Sequence, residues 1–154
     1  MVLNLGDKAP DFNLKSTDGS NISLDSLKGN KTILYFYPKD DTPGCTIEAC
    51  EFRDSNEELQ NLNVKVLGVS PDDEDSHQQF TNKFDLNFPL LADPGAELAK
   101  TYGAWGERER QGKIIVGIIR TTFAIDENGY ISNIWPQVSP EGHAKEIINW
   151  VKEN

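Results

Sequence analysis

The sequence predicts an α/β protein in which helices cover both faces of a mixed central sheet. Two apolar runs, residues 32–37 and 64–69, have the composition of strands that are buried on both faces. Each run is followed by a helical stretch, over residues 45–62 and 74–84 respectively. The order strand-helix-strand-helix, then a hairpin and a last helix, leaves few architectures, and a thioredoxin-like fold is one of them.

Shorter elements surround this framework. Residues 12–14 and 21–23 lie on either side of an Asp-Gly turn signal and predict an N-terminal hairpin. Residues 88–91 suggest a shorter strand. A helix follows it, with Asp93 as its cap and Pro94 in its first turn.

The last third of the chain predicts a hairpin and a helix. Residues 114–119 and 121–125 read as one long β region, and Asn128-Gly129 turns it back into residues 130–134. Ser139-Pro140 is expected to cap the final helix. One apolar stripe on that helix is predicted to be buried: Ala144, Ile147, Ile148 and Val151.

Composition narrows the class of protein. The 154 residues fit one domain, 1–154, and 37% hydrophobic with 26% charged residues is ordinary for a globular chain. A formal net charge of −10 disfavours nucleic acid and anionic membranes as partners. No secretory signal or membrane-length apolar run is visible, and two cysteines are too few for a secreted disulfide scaffold. The expected location is cytoplasmic.

Cys45 is the first candidate for chemistry because it falls at a predicted helix start. Thr42 is a good N-cap residue and Pro43 is favoured at the first helical position. Unpaired N–H groups and the helix dipole stabilise an anion in that turn, which would lower the pKa of Cys45. Gly44 would let a small substrate approach the sulfur.

Cys50 lies five residues further on. On an intact helix the two Cα atoms would be roughly 8.7 Å apart, whereas a disulfide needs less than about 7 Å. A transient disulfide after local unwinding is therefore compatible with the spacing, and a permanent one is not. On a helical wheel, Cys45 shares a buried face with Ala49, Phe52 and Leu59, while Cys50 points away from it.

Other interpretations of the two cysteines remain open at this point. Both could be inert small side chains. Zinc is disfavoured because four ligands would require both distant histidines, and a thioredoxin-type dithiol is disfavoured because its cysteines are two residues apart. His77 and His143 are predicted to be packing or surface residues, and the acidic run 72–75 a solvated helix start.

Arg120 is the second candidate, since a guanidinium inside an apolar β region is costly unless an anion meets it. One interpretation is an edge arginine whose head reaches water. The other is that Arg120 meets the Cys45 thiolate, lowers its pKa and later holds peroxide oxygens. Glu48, one turn after Cys45, could hold the guanidinium or could be a solvated helix residue.

These residues resemble a known family. The segment 35–50 contains the P-x-x-x-T-x-x-C pattern of peroxiredoxins, and its four-residue gap between cysteines is similar to the peroxiredoxin Q, or bacterioferritin comigratory protein, branch. The resemblance extends to three further segments: residues 7–12 at the start, the middle loop 102–107, and residues 120–126 around the active-site arginine.

The resemblance implies roles for these residues. Cys45 would be the peroxidatic cysteine and Cys50 the resolving one, joined by a redox disulfide during the cycle. Thr42 and Arg120 would bind the peroxide, and Pro38 would shield the pocket. It also implies a thioredoxin-like fold, thioredoxin as reductant, no metal or organic cofactor, and often a monomer.

Two rival functions use the same residues. A general thiol–disulfide oxidoreductase acting on proteins is disfavoured by the cysteine gap and by the buried arginine. A redox-sensing binding module would use the same helix unwinding as a signal rather than as a catalytic step.

Overall fold

The computed structural model describes residues 3–154, so the first two residues of the predicted domain lie outside it. Short 3₁₀ turns occur at Asp25–Leu27 and Pro94–Ala96. In chain order the strands and helices are β1 (Asn13–Lys15), β2 (Asn21–Ser23), β3 (Lys31–Phe36), α1 (Pro43–Asn61), β4 (Val64–Ser70), α2 (Glu74–Phe84), β5 (Leu90–Ala92), α3 (Glu97–Tyr102), β6 (Trp105–Arg110), β7 (Lys113–Ile118), β8 (Thr121–Ile125), β9 (Ile131–Trp135) and α4 (His143–Glu153).

Five strands form the central sheet, in the order β5-β4-β3-β8-β9. Strands β3, β4 and β5 are parallel, whereas β8 and β9 are antiparallel to their neighbours. The predicted mixed sheet is therefore confirmed, and so is the N-terminal hairpin, in which β1 pairs with β2. None of the helices within residues 3–154 combines the length and apolarity needed to cross a bilayer.

Strand β3 is buried on both faces, as its apolar composition predicts. Ile33 and Tyr35 pack among residues of α1, α2 and α4, while Leu34 and Phe36 pack on the opposite side with residues of α3. The alternation follows from the two-residue period of a strand. Because β3 ends at Phe36, the loop that follows it lies at the carboxyl edge of the parallel strands.

The long β region predicted over residues 114–125 is wrong as a single element. Strand β7 lies outside the central sheet and pairs with β6 in a separate antiparallel hairpin, and the chain then enters the central sheet as β8. The sequence resemblance placed residues 102–107 in a middle loop, whereas strand β6 begins at Trp105. Its sequence, Trp-Gly-Glu-Arg-Glu-Arg, has no apolar alternation, so backbone pairing with β7 defines it instead.

The predicted start of the last helix also needs correction. Helix α4 begins at His143 with Gly142 as its N-cap, not at Ser139-Pro140. The Glu51 carboxylate of α1 accepts hydrogen bonds from the Gly142 N–H, at 2.9 and 3.1 Å, so the cap comes from a distant helix. The predicted apolar stripe of α4 is buried. Asp93 acts on α3 across the 3₁₀ turn, accepting from two of its N–H groups.

Gly68 in β4 gives a direct test of core packing. A Cβ added there would lie 2.8 Å from Leu90 Cδ2 and 2.9 Å from Tyr35 Cζ. Gly68→Ala should therefore lower the free energy of unfolding by about 1–3 kcal/mol, measured by urea denaturation.

Gly117→Ala is the matched control, because Gly117 is also in a strand and no atom lies within 4 Å of its added Cβ. Equal stability of the two variants would contradict the packing of β4 between β3 and β5.

Candidate active site

Cys45 lies in the first turn of α1, at the carboxyl edge of the sheet, and its residue surface is 2% exposed. Thr42 is the N-cap residue, with extended backbone, and Pro43 opens the helix. The N–H groups of the first turn have no partner within the helix, so their positive end faces the sulfur region. The predicted helix start is correct.

The capping role predicted for the Thr42 side chain is not observed. Its hydroxyl donates to the Lys39 carbonyl oxygen, at 2.9 Å, and makes no hydrogen bond to the helix. The bond closes the loop that leads into α1. It also commits the hydroxyl proton, so the Thr42 oxygen can accept a hydrogen bond from a ligand but does not donate one.

Arg120 contacts Cys45. Its Nη2 donates to Cys45 Sγ at 3.4 Å, and its Nη1 donates to Glu48 Oε1 at 2.8 Å. The Arg120 side chain is 15% exposed, so the structure excludes an edge arginine whose head lies in water. Burial disfavours the charge, but Glu48 and Cys45 outweigh that effect and raise the pKa of Arg120 above its usual value.

Glu48 is not the solvated helix residue that one interpretation allowed. Its side chain is 1% exposed. Burial raises the pKa of Glu48 to about 7, against the opposing effect of Arg120. Its Oε2 is buried and has no hydrogen-bond partner among the described residues. The carboxyl group is therefore held close to its titration point at neutral pH.

A cavity of about 450 Å³ opens above the sulfur. It is lined by Pro38, Lys39, Thr42, Pro43, Gly44, Cys45, Arg108 and Arg120. Gly44 has a second role beside the one expected from substrate access. A Cβ at this position would lie 3.2 Å from Arg120 Nη2, so the glycine makes room for the guanidinium itself.

The two cysteines are separate in this structure. Both are free thiols, and α1 runs without interruption through both positions. Cys45 is buried and Cys50 is half-buried, as the helical wheel predicts. An intact helix holds their Cα atoms roughly 8.7 Å apart, too far for a disulfide.

Sequence reasoning missed a buried network beneath the loop that carries Thr42. Asp40 accepts hydrogen bonds from the Tyr37 hydroxyl at 2.6 Å and the Ser76 hydroxyl at 2.8 Å, and His77 Nδ1 lies 2.7 Å from it. The Asp40 N–H donates to Asp72 at 2.7 Å. These bonds fix the loop between β3 and α1. Apart from Tyr37, the partners of Asp40 are more than thirty residues away from it in the sequence, so no local pattern indicates them.

Both histidines are buried, as a packing role predicts, but each also makes hydrogen bonds. His77 Nε2 lies 3.0 Å from the Leu91 carbonyl oxygen, and His143 Nε2 lies 2.8 Å from the Thr122 hydroxyl. Among the described residues neither is hydrogen-bonded to Cys45. The acidic run 72–75 forms the start of α2, where Asp73 caps the Ser76 N–H.

The fold and this site together define the class of protein. A buried thiol at a helix N-terminus, in contact with a guanidinium on a thioredoxin-like sheet, makes the chain a thiol-dependent peroxidase. The chain belongs to the AhpC/TSA family, whose profile matches residues 5–134.

Two similar curated proteins are both named as peroxiredoxin Bcp. The chain is 50% identical over 148 residues to a putative peroxiredoxin bcp of Coxiella burnetii, covering 96% of this chain and 98% of the other. It is 42% identical over 153 residues to peroxiredoxin Bcp of Bacillus subtilis, covering 99% and 98%.

Solved structures agree with this assignment. A cysteine-to-serine mutant of Xylella fastidiosa PrxQ superposes with a TM-score of 0.92 and 34% identity, covering 99% of this chain and 98% of that one. The bacterioferritin comigratory protein of Xanthomonas campestris, studied for alkyl peroxide reduction, superposes with a TM-score of 0.86 and 33% identity. The match covers 92% of this chain and 90% of that one. The resemblance to the peroxiredoxin Q branch is confirmed.

The raised pKa of Glu48 predicts a pH-dependent stability. A glutamate in an unfolded chain has a pKa of about 4.3. Between this value and about 7 the folded protein holds a proton that the unfolded chain has lost, so stability falls as pH rises. Glu48→Gln removes that effect. From pH 5 to pH 8 this variant should gain about 2–3 kcal/mol of unfolding free energy relative to its parent.

Urea denaturation in a Cys45→Ser background measures this gain without thiolate titration. Glu57→Gln is the control, because Glu57 lies on the same helix but is exposed. Parallel pH curves for Glu48→Gln and its parent would mean that Glu48 is ionised throughout, and the prediction would be wrong.

Proposed function

We propose that Cys45 is the peroxidatic cysteine, Cys50 the resolving cysteine and thioredoxin the reductant of a peroxidase acting on hydrogen peroxide and organic hydroperoxides. The observation that carries this proposal is the contact of Arg120 with Cys45 Sγ at 3.4 Å, at the base of an open cavity. A cation beside a helix-terminal thiol favours the thiolate, which is the nucleophilic form.

In the first step the thiolate attacks one oxygen of the hydroperoxide. The S–O bond forms as the O–O bond breaks, giving a sulfenic acid and an alkoxide or hydroxide that solvent protonates. Negative charge moves from sulfur to the leaving oxygen. The Arg120 guanidinium and the unpaired N–H groups of the first turn stabilise that charge without rearrangement, because both are already in place.

Thr42 and Pro38 act as binding residues in this proposal. The Thr42 hydroxyl donates to Lys39, so its oxygen accepts a hydrogen bond from the O–H group of the hydroperoxide and orients the O–O bond toward the sulfur. Pro38 lines the cavity and shields it from water. Glu48 holds Arg120 through the bond at 2.8 Å and is a positioning residue.

In the second step the Cys50 thiol attacks the sulfenic sulfur, forming the Cys45–Cys50 disulfide and releasing water. The intact helix forbids this bond, so the first turns of α1 must unwind. An external dithiol then reduces the disulfide, which returns both thiols and allows the helix to reform. The cycle needs two cysteines and a dithiol, and no metal or organic cofactor.

We also propose a single domain, a monomeric state and a cytoplasmic location. Hydrophobic clusters on both faces of one sheet support the single domain. All the groups that the first step uses come from one chain, so the reaction needs no second copy. A reducing compartment such as the cytoplasm suits a cycle that begins from two free thiols.

Serine substitutions separate the roles of the two cysteines. Cys45→Ser should abolish peroxide consumption, because no nucleophile remains. Cys50→Ser should allow one oxidation per chain but stop turnover, because the sulfenic acid has no internal partner. A coupled assay with thioredoxin, thioredoxin reductase and NADPH measures both. Normal steady-state turnover in Cys50→Ser would remove Cys50 from the cycle.

Unwinding of α1 is a separate prediction. Amide hydrogens of residues 42–52 should exchange faster in the disulfide form than in the reduced form, and far-UV circular dichroism should show less helix. Helix α4 provides the internal control, since its exchange should change less. Equal exchange over residues 42–52 in both forms would contradict the proposed resolution step.

A further inference from the structure

A second arginine, Arg108, lines the cavity that contains Cys45 and Arg120. It lies in β6, opposite Ile115 of β7. Glu107 and Glu109, its neighbours in the strand, project to the other face of the hairpin because side chains alternate along a strand. The hairpin therefore presents a cation, without its adjacent carboxylates, to the cavity.

Arg108 differs from Arg120 in having no anionic partner. Arg120 is bonded to Glu48 and to Cys45. No carboxylate of the described residues lies within 4.0 Å of the Arg108 guanidinium nitrogens, and its Nε is buried without a hydrogen-bond partner. Arg108 therefore has no ion pair to break before it binds an anionic ligand in the cavity.

The carboxylates nearest in sequence to the cavity loop have other partners. Asp41 pairs with Lys83 at 2.8 Å, and Asp40 is buried against His77 at 2.7 Å. Lys39, by contrast, lines the cavity and is exposed. Among the described residues the cavity lining includes three cationic side chains, Lys39, Arg108 and Arg120, and no carboxylate. This local balance is opposite in sign to the net charge of −10 on the whole chain.

We propose that Arg108 is a specificity-determining residue that binds the carboxylate of acidic organic hydroperoxides, while Arg120 and Cys45 engage their O–O group. A guanidinium recognises a carboxylate through two parallel N–H···O bonds. The cavity of about 450 Å³ has room for an organic hydroperoxide, not only for hydrogen peroxide. This inference rests on the proposed function of Cys45.

A matched pair of substrates tests the proposal. Cumene hydroperoxide and its para-carboxylate derivative differ only in the charged group. The rate constant for oxidation of reduced protein by each is measured by stopped-flow tryptophan fluorescence, with hydrogen peroxide as reference. Arg108→Gln should lower the ratio of the acid rate to the cumene hydroperoxide rate by about tenfold, the effect of one charge-assisted interaction.

Two further variants make the result specific. Arg108→Lys keeps the charge but loses the planar fork, so it should recover part of the ratio. Lys65→Gln removes one positive charge from the exposed start of β4, at the opposite edge of the sheet, and should leave the ratio unchanged. In the wild type, added salt should reduce the ratio, and in Arg108→Gln it should do so less.

Two outcomes would overturn the proposal. An unchanged ratio in Arg108→Gln would show that Arg108 does not recognise the carboxylate, whether or not both rates fall together. An equal loss in Lys65→Gln would assign the preference to overall charge. If the wild type reacts with neither hydrogen peroxide nor cumene hydroperoxide, the proposed peroxidase role of Cys45 is wrong. This outcome is distinct from an unchanged ratio, which concerns Arg108 alone.

Discussion

A single buried guanidinium connects the parts of this site. Arg120 lies between the Cys45 sulfur and the Glu48 carboxylate, two groups one helical turn apart on α1. Two anions buried this close would repel each other, and a lone buried cation would be costly. The buried guanidinium therefore offsets the repulsion between the two acidic groups, and they offset the cost of burying the guanidinium. Arg120 lies in the break between β7 and β8, so the topology of the sheet places its guanidinium beside the helix that carries Cys45.

The helix that carries Cys45 in its first turn also keeps it away from Cys50. An unpaired N-terminus requires an ordered first turn, whereas a disulfide requires that turn to open. In the proposed cycle oxidation would change this balance, because a neutral sulfenic acid would replace the thiolate beside Arg120. Glu48 then remains as the counterion of Arg120. In the proposed cycle the attraction between Arg120 and the first turn of α1 would therefore weaken at the stage when unwinding is needed, and one ion pair would couple the chemistry to the conformational change.

The sequence predicted the features that depend on local patterns. The buried strand β3, the start of α1 and the buried face of Cys45 follow from composition, capping and periodicity. Features set by distant partners were missed or misplaced. Strand β6 is charged and is defined by its pairing with β7, and α4 starts where Glu51 caps it. Arg120 falls between these two groups of features. The free-energy cost of a guanidinium in an apolar region indicated that it has an anionic partner, but did not identify that partner.

The contrast between the acidic chain and its cationic cavity bears on how selectivity can arise. At physiological salt, exposed charges are screened over about 8 Å, so the net charge of −10 repels an approaching anion only weakly. Charges inside the cavity are partly shielded from solvent and are screened less. Arg108 and Arg120 can therefore attract an anionic substrate at short range although the surface as a whole does not. Arg120 is already bonded to Cys45 and Glu48, so the proposed recognition of a carboxylate needs a separate cation, and Arg108 on the hairpin of β6 and β7 provides it.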